Sequence, residues 1–154
     1  MFGAVPPTVD DLLASARSGL CRLGPPLAFR AARDGAILID TRPEWQRHAD
    51  GEIPGAIVVE RNHLEWRCDP ACPSRLAEAV DHEVAWIVCC DEGYSSSLAA
   101  ASLQALGLRR ATDLIGGFRA WRAAGLPVIP PGQPSRPRLP RPDDEFFEGG
   151  RCHG

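Results

Sequence analysis

The stretch Val88-Cys89-Cys90-Asp91-Glu92-Gly93-Tyr94-Ser95-Ser96-Ser97 decides the fold. An apolar run ends at two cysteines, a polar loop with one glycine follows, and the serines lead into a helical pattern over 96–106. This order predicts a buried strand, a tight loop and a helix. In open α/β sheets, ligands bind just beyond the carboxyl ends of the strands. The stretch therefore predicts a functional loop at such an end.

Cys90 is the candidate nucleophile of this loop. A loop that joins a strand to a helix N-terminus points backbone N–H groups inward, and the helix adds partial positive charge. Both features stabilise a thiolate, which is the reactive form of cysteine. Because side chains alternate along a strand, Cys89 points the opposite way and is predicted to be a core residue.

Apolar runs elsewhere in the chain extend the same pattern. Four of them, bounded by turn signals, predict buried strands over 36–39, 56–59, 84–89 and 111–115. A shorter run over 20–23 predicts an edge strand. Helical patterns over 25–33, 73–80, 96–106 and 117–124 alternate with them. We therefore predict an α/β fold with a five-stranded, mostly parallel sheet flanked by helices on both faces.

The two ends of the chain differ from this domain. Residues 1–19 predict a helical extension that Thr8 or Asp10 caps and Gly19 ends. Seven prolines lie between Pro127 and Pro142, so we predict an extended or disordered tail over 129–154. The pair Phe146-Phe147 in that tail is either a docking motif or part of a solvated end. The domain itself is predicted over 20–128.

Composition limits the classes of function. The 154 residues fit one domain. The formal net charge is -3, so the chain has no excess of positive charge with which to bind nucleic acid. No apolar stretch approaches the roughly 20 residues that a transmembrane helix needs. The beginning of the chain lacks the pattern of a secretory signal. We therefore expect a cytoplasmic protein without membrane contact, with its six cysteines reduced.

Several motifs stand in one order along residues 20–128. They are Asp40-Thr41-Arg42 after an early strand, Gly51-Glu52-Ile53-Pro54-Gly55-Ala56, the cysteine strand and loop over 88–96, the Leu-x-x-Leu-Gly helix end over 103–107 and a late Gly-Gly-x-x-x-Trp over 116–121. Together these motifs closely resemble the single-domain bacterial members of the rhodanese-like family.

The resemblance implies a sulfurtransferase. The Cys90 thiolate would attack the outer sulfur of a donor and become a persulfide, and a thiol or cyanide acceptor would take that sulfur. The donor would be a small sulfur compound or a persulfidated protein. No cofactor and no metal are expected, because Cys68, Cys72 and the other cysteines lack zinc-site spacing. The substrate-binding loop would comprise Asp91, Glu92, Gly93, Tyr94, Ser95 and Ser96.

Two acidic residues make thiosulfate a doubtful donor. Asp91 and Glu92 would repel a dianion, and Ser95 stands where the family often has a loop arginine. Alternatively, both acids lie on the outer rim and point to water. Arg61 and Arg67 are possible pocket residues that would offset the acids, or else members of a surface salt-bridge cluster.

Two further positions leave alternatives open. Arg42 resembles one half of a structural acid–base pair with Asp40, but it is also a possible pocket residue. Glu52 stands where the family usually has histidine, and we expect little effect on the chemistry.

Other functions remain as alternatives or are disfavoured. Phosphatases of this fold use a Cys-x5-Arg loop, but Ser96 stands six positions after Cys90, so phosphoryl chemistry is not expected. A rhodanese-like binding module with little turnover is one alternative. A thiol redox sensor, with Cys68 or Cys72 as a resolving thiol, is another.

Overall fold

The computed structural model describes residues 3–132, and its centre is a single parallel sheet. Four strands lie in the order β2-β1-β3-β4. They are β1 (Ile37–Asp40), β2 (Ile57–Val58), β3 (Trp86–Cys89) and β4 (Thr112–Asp113). Ile39 of β1 lies opposite Ile57 on one side and Val88 on the other. The predicted α/β class with a parallel sheet is confirmed.

Helices cover both faces of this sheet. They are α1 (Val9–Ser18), α2 (Pro25–Arg33), α3 (Glu44–Asp50), α4 (Leu64–Cys68), α5 (Ser95–Ala105) and α6 (Gly117–Ala123). A 3₁₀ turn over Arg61–His63 leads into α4. Helix α1 starts at a capping box in which Thr8 and Asp11 bond each other's backbone amides, and it packs against α5.

Side-chain alternation along the strands divides the core into two layers. Ile39, Trp86 and Val88 pack with residues of α4 and α5 on one face. Leu38, Ile87 and Cys89 pack with residues of α2 and α6 on the other. Cys89 is fully buried in the second layer. The following residue, Cys90, consequently turns toward the α5 face.

The predicted number of strands is wrong. Residues 20–23 do not form a fifth strand, because only Leu23 pairs with the sheet, through a single parallel bridge to Leu114. Leu23 donates its amide to Asp113 O at 3.1 Å and accepts from the amide of Ile115 at 2.8 Å. Gly24 then caps α2, with Pro25 as its first residue, so the chain leaves the sheet after one residue.

The predicted helix over 73–80 is also wrong, since this segment consists of turns. The amide of Leu76 donates to Arg67 O at 2.8 Å, which anchors the segment on the end of α4. Leu76 and Ala79 still reach the core, so turns bring residues three positions apart to the same side here. From the sequence alone, that spacing indicates a helical period. Helix α3 was not predicted, because it buries none of its seven residues and so carries no apolar period.

The ends of the chain are described only in part. Ile129 pairs antiparallel with Glu52. The predicted Pro-rich tail, including Phe146-Phe147, lies outside the described residues from 133 onward. Within 3–132, none of the helices has the length and apolar character that crossing a membrane requires.

Candidate active site

Two backbone amides point at the sulfur of Cys90, directly after β3. Gly93 N lies 3.2 Å and Ser96 N 3.4 Å from Cys90 Sγ. Ser96 is the second residue of α5, so the helix N-terminus faces the sulfur. Cys90 is 7% exposed, so only a small part of the residue meets solvent. The arrangement can hold a thiolate or a small anion attached to it.

Glycines allow the loop to close over the start of α6. Gly93 has a φ of +86°, and a Cβ at this position would lie 2.7 Å from Gly116 N. A Cβ on Gly117 would lie 2.5 Å from Cys90 O. This close approach lets the amide of Phe118 donate to Cys90 O at 2.8 Å. The loop backbone is thus fixed from the α6 side.

A buried carboxylate fixes the loop from the opposite side. Asp113, at the end of β4, is fully buried and forms a two-pronged ion pair with Arg22, with its shortest distance of 2.8 Å between Arg22 Nε and Asp113 Oδ1. The hydroxyls of Ser96 and Ser97 donate to Asp113 Oδ2 at 2.9 and 2.7 Å. The start of α5 is therefore tied to the end of the neighbouring strand.

Two guanidinium groups meet at the carbonyl of Gly93. Arg17 Nη2 donates to Gly93 O at 2.9 Å, and Arg22 Nη2 donates to the same atom at 3.1 Å. Arg17 Nε also donates to Ser97 Oγ at 3.0 Å. The guanidinium carbon of Arg17 lies 5.8 Å from the centre of the exposed ring of Tyr94. Helix α1 thus contacts the Cys90 loop directly.

The two acidic loop residues share a cation from α6. Arg119 Nε lies 2.8 Å from Asp91 Oδ2 and 3.6 Å from Glu92 Oε1. The hydrogen bond with Asp91 and the charges of both acids raise the pKa of the Arg119 guanidinium, so it stays protonated. Asp91 is mostly covered, whereas the Glu92 side chain is about half exposed.

The predicted pocket arginines are spread over several elements. Arg42 is buried, and it bonds Asp40 Oδ2 at 2.7 Å and Gly51 O at 2.9 Å while its guanidinium stacks 3.8 Å from the centre of the Phe118 ring. Arg61 pairs with Glu65, and Arg67 donates to Ser74 O at 2.5 Å. Among residues 3–132, the bonds of these three arginines go to partners outside the loop 91–96.

Glu52, at the position where the family usually has histidine, pairs with Arg47. The distance between Arg47 Nη1 and Glu52 Oε1 is 2.5 Å. Arg47 Nε also bonds Arg42 O at 3.3 Å. Glu52 therefore belongs to the ion pairs that brace the turn after α3.

The other cysteines of the described range are free thiols in different environments. Burial raises the pKa of Cys89 well above its ordinary value, with a further contribution from Asp40. Burial also raises the pKa of Cys68 to about 12, with the charge of Glu65 adding to it. Cys21 is exposed, and Cys72 is partly covered. Cys68 and Cys89 therefore stay protonated at neutral pH.

A cavity of about 660 Å³ lies at the opposite end of the strands, near the start of β1. Its lining includes Phe29, Ile37 and Trp121 but no cysteine. Because it has no nucleophilic thiol, we assign the candidate site to the Cys90 loop instead.

Sequence reasoning missed four residues of this site, namely Arg17, Arg22, Asp113 and Arg119. One signal was available: Asp113 is a carboxylate inside the apolar run 111–115, and a buried carboxylate requires a partner. The identity of that partner depends on the fold, because Arg22 lies 91 positions away along the chain.

Comparisons with known proteins agree with this fold. Residues 27–124 match the family model described as "Rhodanese-like domain". The chain is 34% identical over 102 residues to the thiosulfate sulfurtransferase GlpE of Stutzerimonas stutzeri, covering 66% of this chain and 84% of that relative.

The solved structures that share the fold include the following two. One is a protein of unknown function from Rhodopseudomonas palustris, described as a possible tyrosine phosphatase, with a TM-score of 0.72, 27% identity and coverage of 83% of this chain and 98% of that one. The other is the polysulfide-sulfur transferase homodimer of Wolinella succinogenes, with a TM-score of 0.57, 22% identity and coverage of 77% and 84%. The second likeness concerns the fold alone.

Proposed function

The chain belongs to the rhodanese-like family, a family of sulfurtransferases, and we propose that it transfers sulfane sulfur through a persulfide on Cys90. The observation that carries this proposal is the pair of amides of Gly93 and Ser96 aimed at Cys90 Sγ. No other cysteine of residues 3–132 combines a strand-end position with such donors.

The proposed reaction has two steps, in which the sulfur atom passes from the donor to Cys90 and then to the acceptor. The Cys90 thiolate attacks the outer sulfur of the donor, a new S–S bond forms, and the donor's remaining group leaves with the electron pair of the broken bond. A thiol acceptor, as its thiolate, or cyanide then attacks the terminal sulfur. The persulfide bond breaks, and Cys90 is released as a thiolate. Amides of the loop 91–96 would hold the charge on the terminal sulfur.

We propose that thiosulfate is a poorer donor than a small organic persulfide or a persulfidated protein. Thiosulfate is a dianion, and the loop after Cys90 carries the carboxylates of Asp91 and Glu92, which share the cation Arg119. The free thiols and the persulfide also suit a reducing compartment, so the proposal includes a cytoplasmic location.

Mass spectrometry after incubation with each donor tests the proposal. We expect wild type to gain the mass of one sulfur atom on Cys90, and Cys90→Ser to lose both this adduct and turnover. Cys89→Ala is the matched control, because Cys89 is a neighbouring thiol that faces the core. We expect it to keep the adduct at Cys90.

Three results would contradict the proposal. No adduct with any donor, while Cys90 still reacts with iodoacetamide, would favour a binding module. Equal turnover by Cys90→Ser would exclude the persulfide route. A disulfide from Cys90 to another cysteine after mild peroxide, without an adduct from any donor, would favour a redox sensor.

The loop gives no support for a phosphatase. The residues 91–96 contain no arginine that could hold a phosphoryl group in two-pronged fashion. Arg17 and Arg22 direct their bonds to the Gly93 carbonyl instead.

A further inference from the structure

We propose that Arg17, on α1, is a positioning residue for the reaction at Cys90. The inference rests on the proposed function, since it explains how the loop amides stay aimed at the sulfur. Arg17 precedes the residues 27–124 that match the family model, so the active unit would begin before the matched region.

Gly93 is the point at which Arg17 acts. The amide of Gly93 donates to Cys90 Sγ at 3.2 Å, and its carbonyl accepts from Arg17 at 2.9 Å. A glycine at a φ of +86° has wide backbone freedom, so its orientation depends on what holds its two polar groups. Arg17 holds the carbonyl together with Arg22 and the Ser97 hydroxyl, and this limits rotation about the backbone bonds of Gly93 and helps to keep the amide directed at the sulfur.

The geometry of Arg17 is that of a fork. Its Nη2 bonds Gly93 O, and its Nε bonds Ser97 Oγ at 3.0 Å. Gly93 and Ser97 flank the second donor, Ser96 N, so the fork spans the part of the loop that carries both amides. A planar guanidinium suits such a two-pronged role, and a lysine ammonium does not.

Arg22 donates to the same carbonyl but also pairs with a carboxylate in the protein interior. It donates to Gly93 O at 3.1 Å while it pairs with the buried Asp113. Removal of Arg22 would leave that carboxylate buried without its cation, which is strongly destabilising. Arg17 is therefore the cleaner residue to test.

The test is the pH dependence of alkylation at Cys90, followed by peptide mapping with fragmentation that separates Cys90 from Cys89. With Arg17→Ala we expect the iodoacetamide rate constant near neutral pH to fall about tenfold, because the negative charge on the sulfur loses aligned hydrogen-bond donors. The difference in rate between variant and wild type should shrink as the pH rises. Arg17→Lys should show most of this fall.

Arg109→Ala is the matched control. Arg109 is a surface arginine that pairs with Glu83 at 2.6 Å, and we expect this variant to follow the wild-type profile. Thermal unfolding of each variant shows whether it is folded before alkylation is measured.

Several outcomes would overturn the proposal. One is a wild-type profile for Arg17→Ala, and another is an equal loss at every pH, which would indicate a general structural defect. Full recovery in Arg17→Lys would mean that charge alone acts. Alkylation needs no sulfur donor, so a wild type that forms no persulfide would contradict the proposed function and leave the test of Arg17 valid.

Discussion

Asp91 and Glu92, in the loop after Cys90, form a small charge cluster with Arg119. Arg119 comes from α6, and its Nε lies 2.8 Å from Asp91 and 3.6 Å from Glu92. The cluster has a formal charge of -1 as a result. At the scale of single residues, we therefore expect Arg119 to weaken the repulsion between the loop and an anionic donor.

We expect Arg119→Gln to lower kcat/KM for thiosulfate by about threefold, because an exposed ion pair contributes at most about 1 kcal/mol. The glutamine amide can still donate to Asp91 but carries no charge. Steady-state kinetics with thiosulfate and with a neutral organic trisulfide measure the effect, which should be confined to thiosulfate.

The control for this prediction is Arg122→Gln, on the same helix. Arg122 lies 4.0 Å from Asp50 and should leave both donors unaffected. Ionic strength of about 0.5 M should reduce the Arg119 effect by screening. An equal loss with both donors would contradict the electrostatic explanation.

At the scale of elements, the start of α6 packs against the loop that follows Cys90. Its first residue, Gly117, lies so close that a Cβ would sit 2.5 Å from Cys90 O and 2.6 Å from the carbonyl carbon of Asp91. The amide of Arg119 also donates to Asp91 O at 3.1 Å. The start of α6 and the first turn of the loop are therefore one packed unit.

Gly117→Ala is expected to destabilise the protein by about 3 kcal/mol, from left-handed strain together with overpacking. It should also lower turnover, because the carbonyl of Cys90 must move. Urea unfolding and steady-state kinetics measure the two effects.

Gly125→Ala separates strain from overpacking. Gly125 also has a positive φ, +71°, but nothing lies within 4 Å of a Cβ at that position. We expect a loss of about 1 kcal/mol and normal turnover. Equal effects of the two substitutions would show that close packing against the loop is unimportant.

At the scale of the whole molecule, each core layer contains a thiol that stays neutral. Cys68 lies in the layer under α4 and α5, and Cys89 lies in the layer under α2 and α6. Burial raises the pKa of Cys68 to about 12 and that of Cys89 well above its ordinary value. Unfolding exposes both thiols to water and lets them ionise at lower pH.

The stability of the fold should therefore fall as pH rises from about 9 toward 12. In this window the unfolded chain loses the Cys68 proton while the folded chain keeps it, so each such thiol lowers the free energy of unfolding by up to about 1.4 kcal/mol per pH unit. Below this window the contribution of Cys68 is fully present. Urea unfolding at a series of pH values measures the slope.

In Cys68→Ala, the free energy of unfolding should fall less steeply with pH, because one ionisable thiol is gone. The variant should be less stable at pH 7, because the substitution leaves a cavity. The exposed Cys21→Ala should retain the wild-type slope. An unchanged slope in Cys68→Ala would show that this thiol does not couple ionisation to folding.

Most of the fold could be predicted from the sequence, because apolar runs and strand alternation are local signals. The runs at 36–39 and 84–89 became β1 and β3, and the alternation placed Cys89 in the core. The segments that failed are those in which tertiary contacts override local pattern. Leu23 pairs through one residue only, and Leu76 is held by Arg67 O in turns.

Of the candidate site, only the residues that directly follow Cys90 in the sequence could be predicted. The loop after Cys90 carries its own signal in Gly93 and the serines that follow. The charges that surround it come from remote positions: Arg17 lies 76 positions from Gly93, and Arg119 lies 28 from Asp91. The sequence instead suggested Arg61 and Arg67 as pocket residues, because they follow the end of a strand. In the structure they bond Glu65 and Ser74 O.

The contact of Arg17 with Gly93 also has a thermodynamic consequence that works in both directions. If α1 biases the loop toward the conformation that stabilises a charged sulfur, charging that sulfur must by linkage bias α1 toward its docked position by the same free energy. Helix α1 would then be held more firmly when the sulfur at Cys90 is charged than when it is neutral.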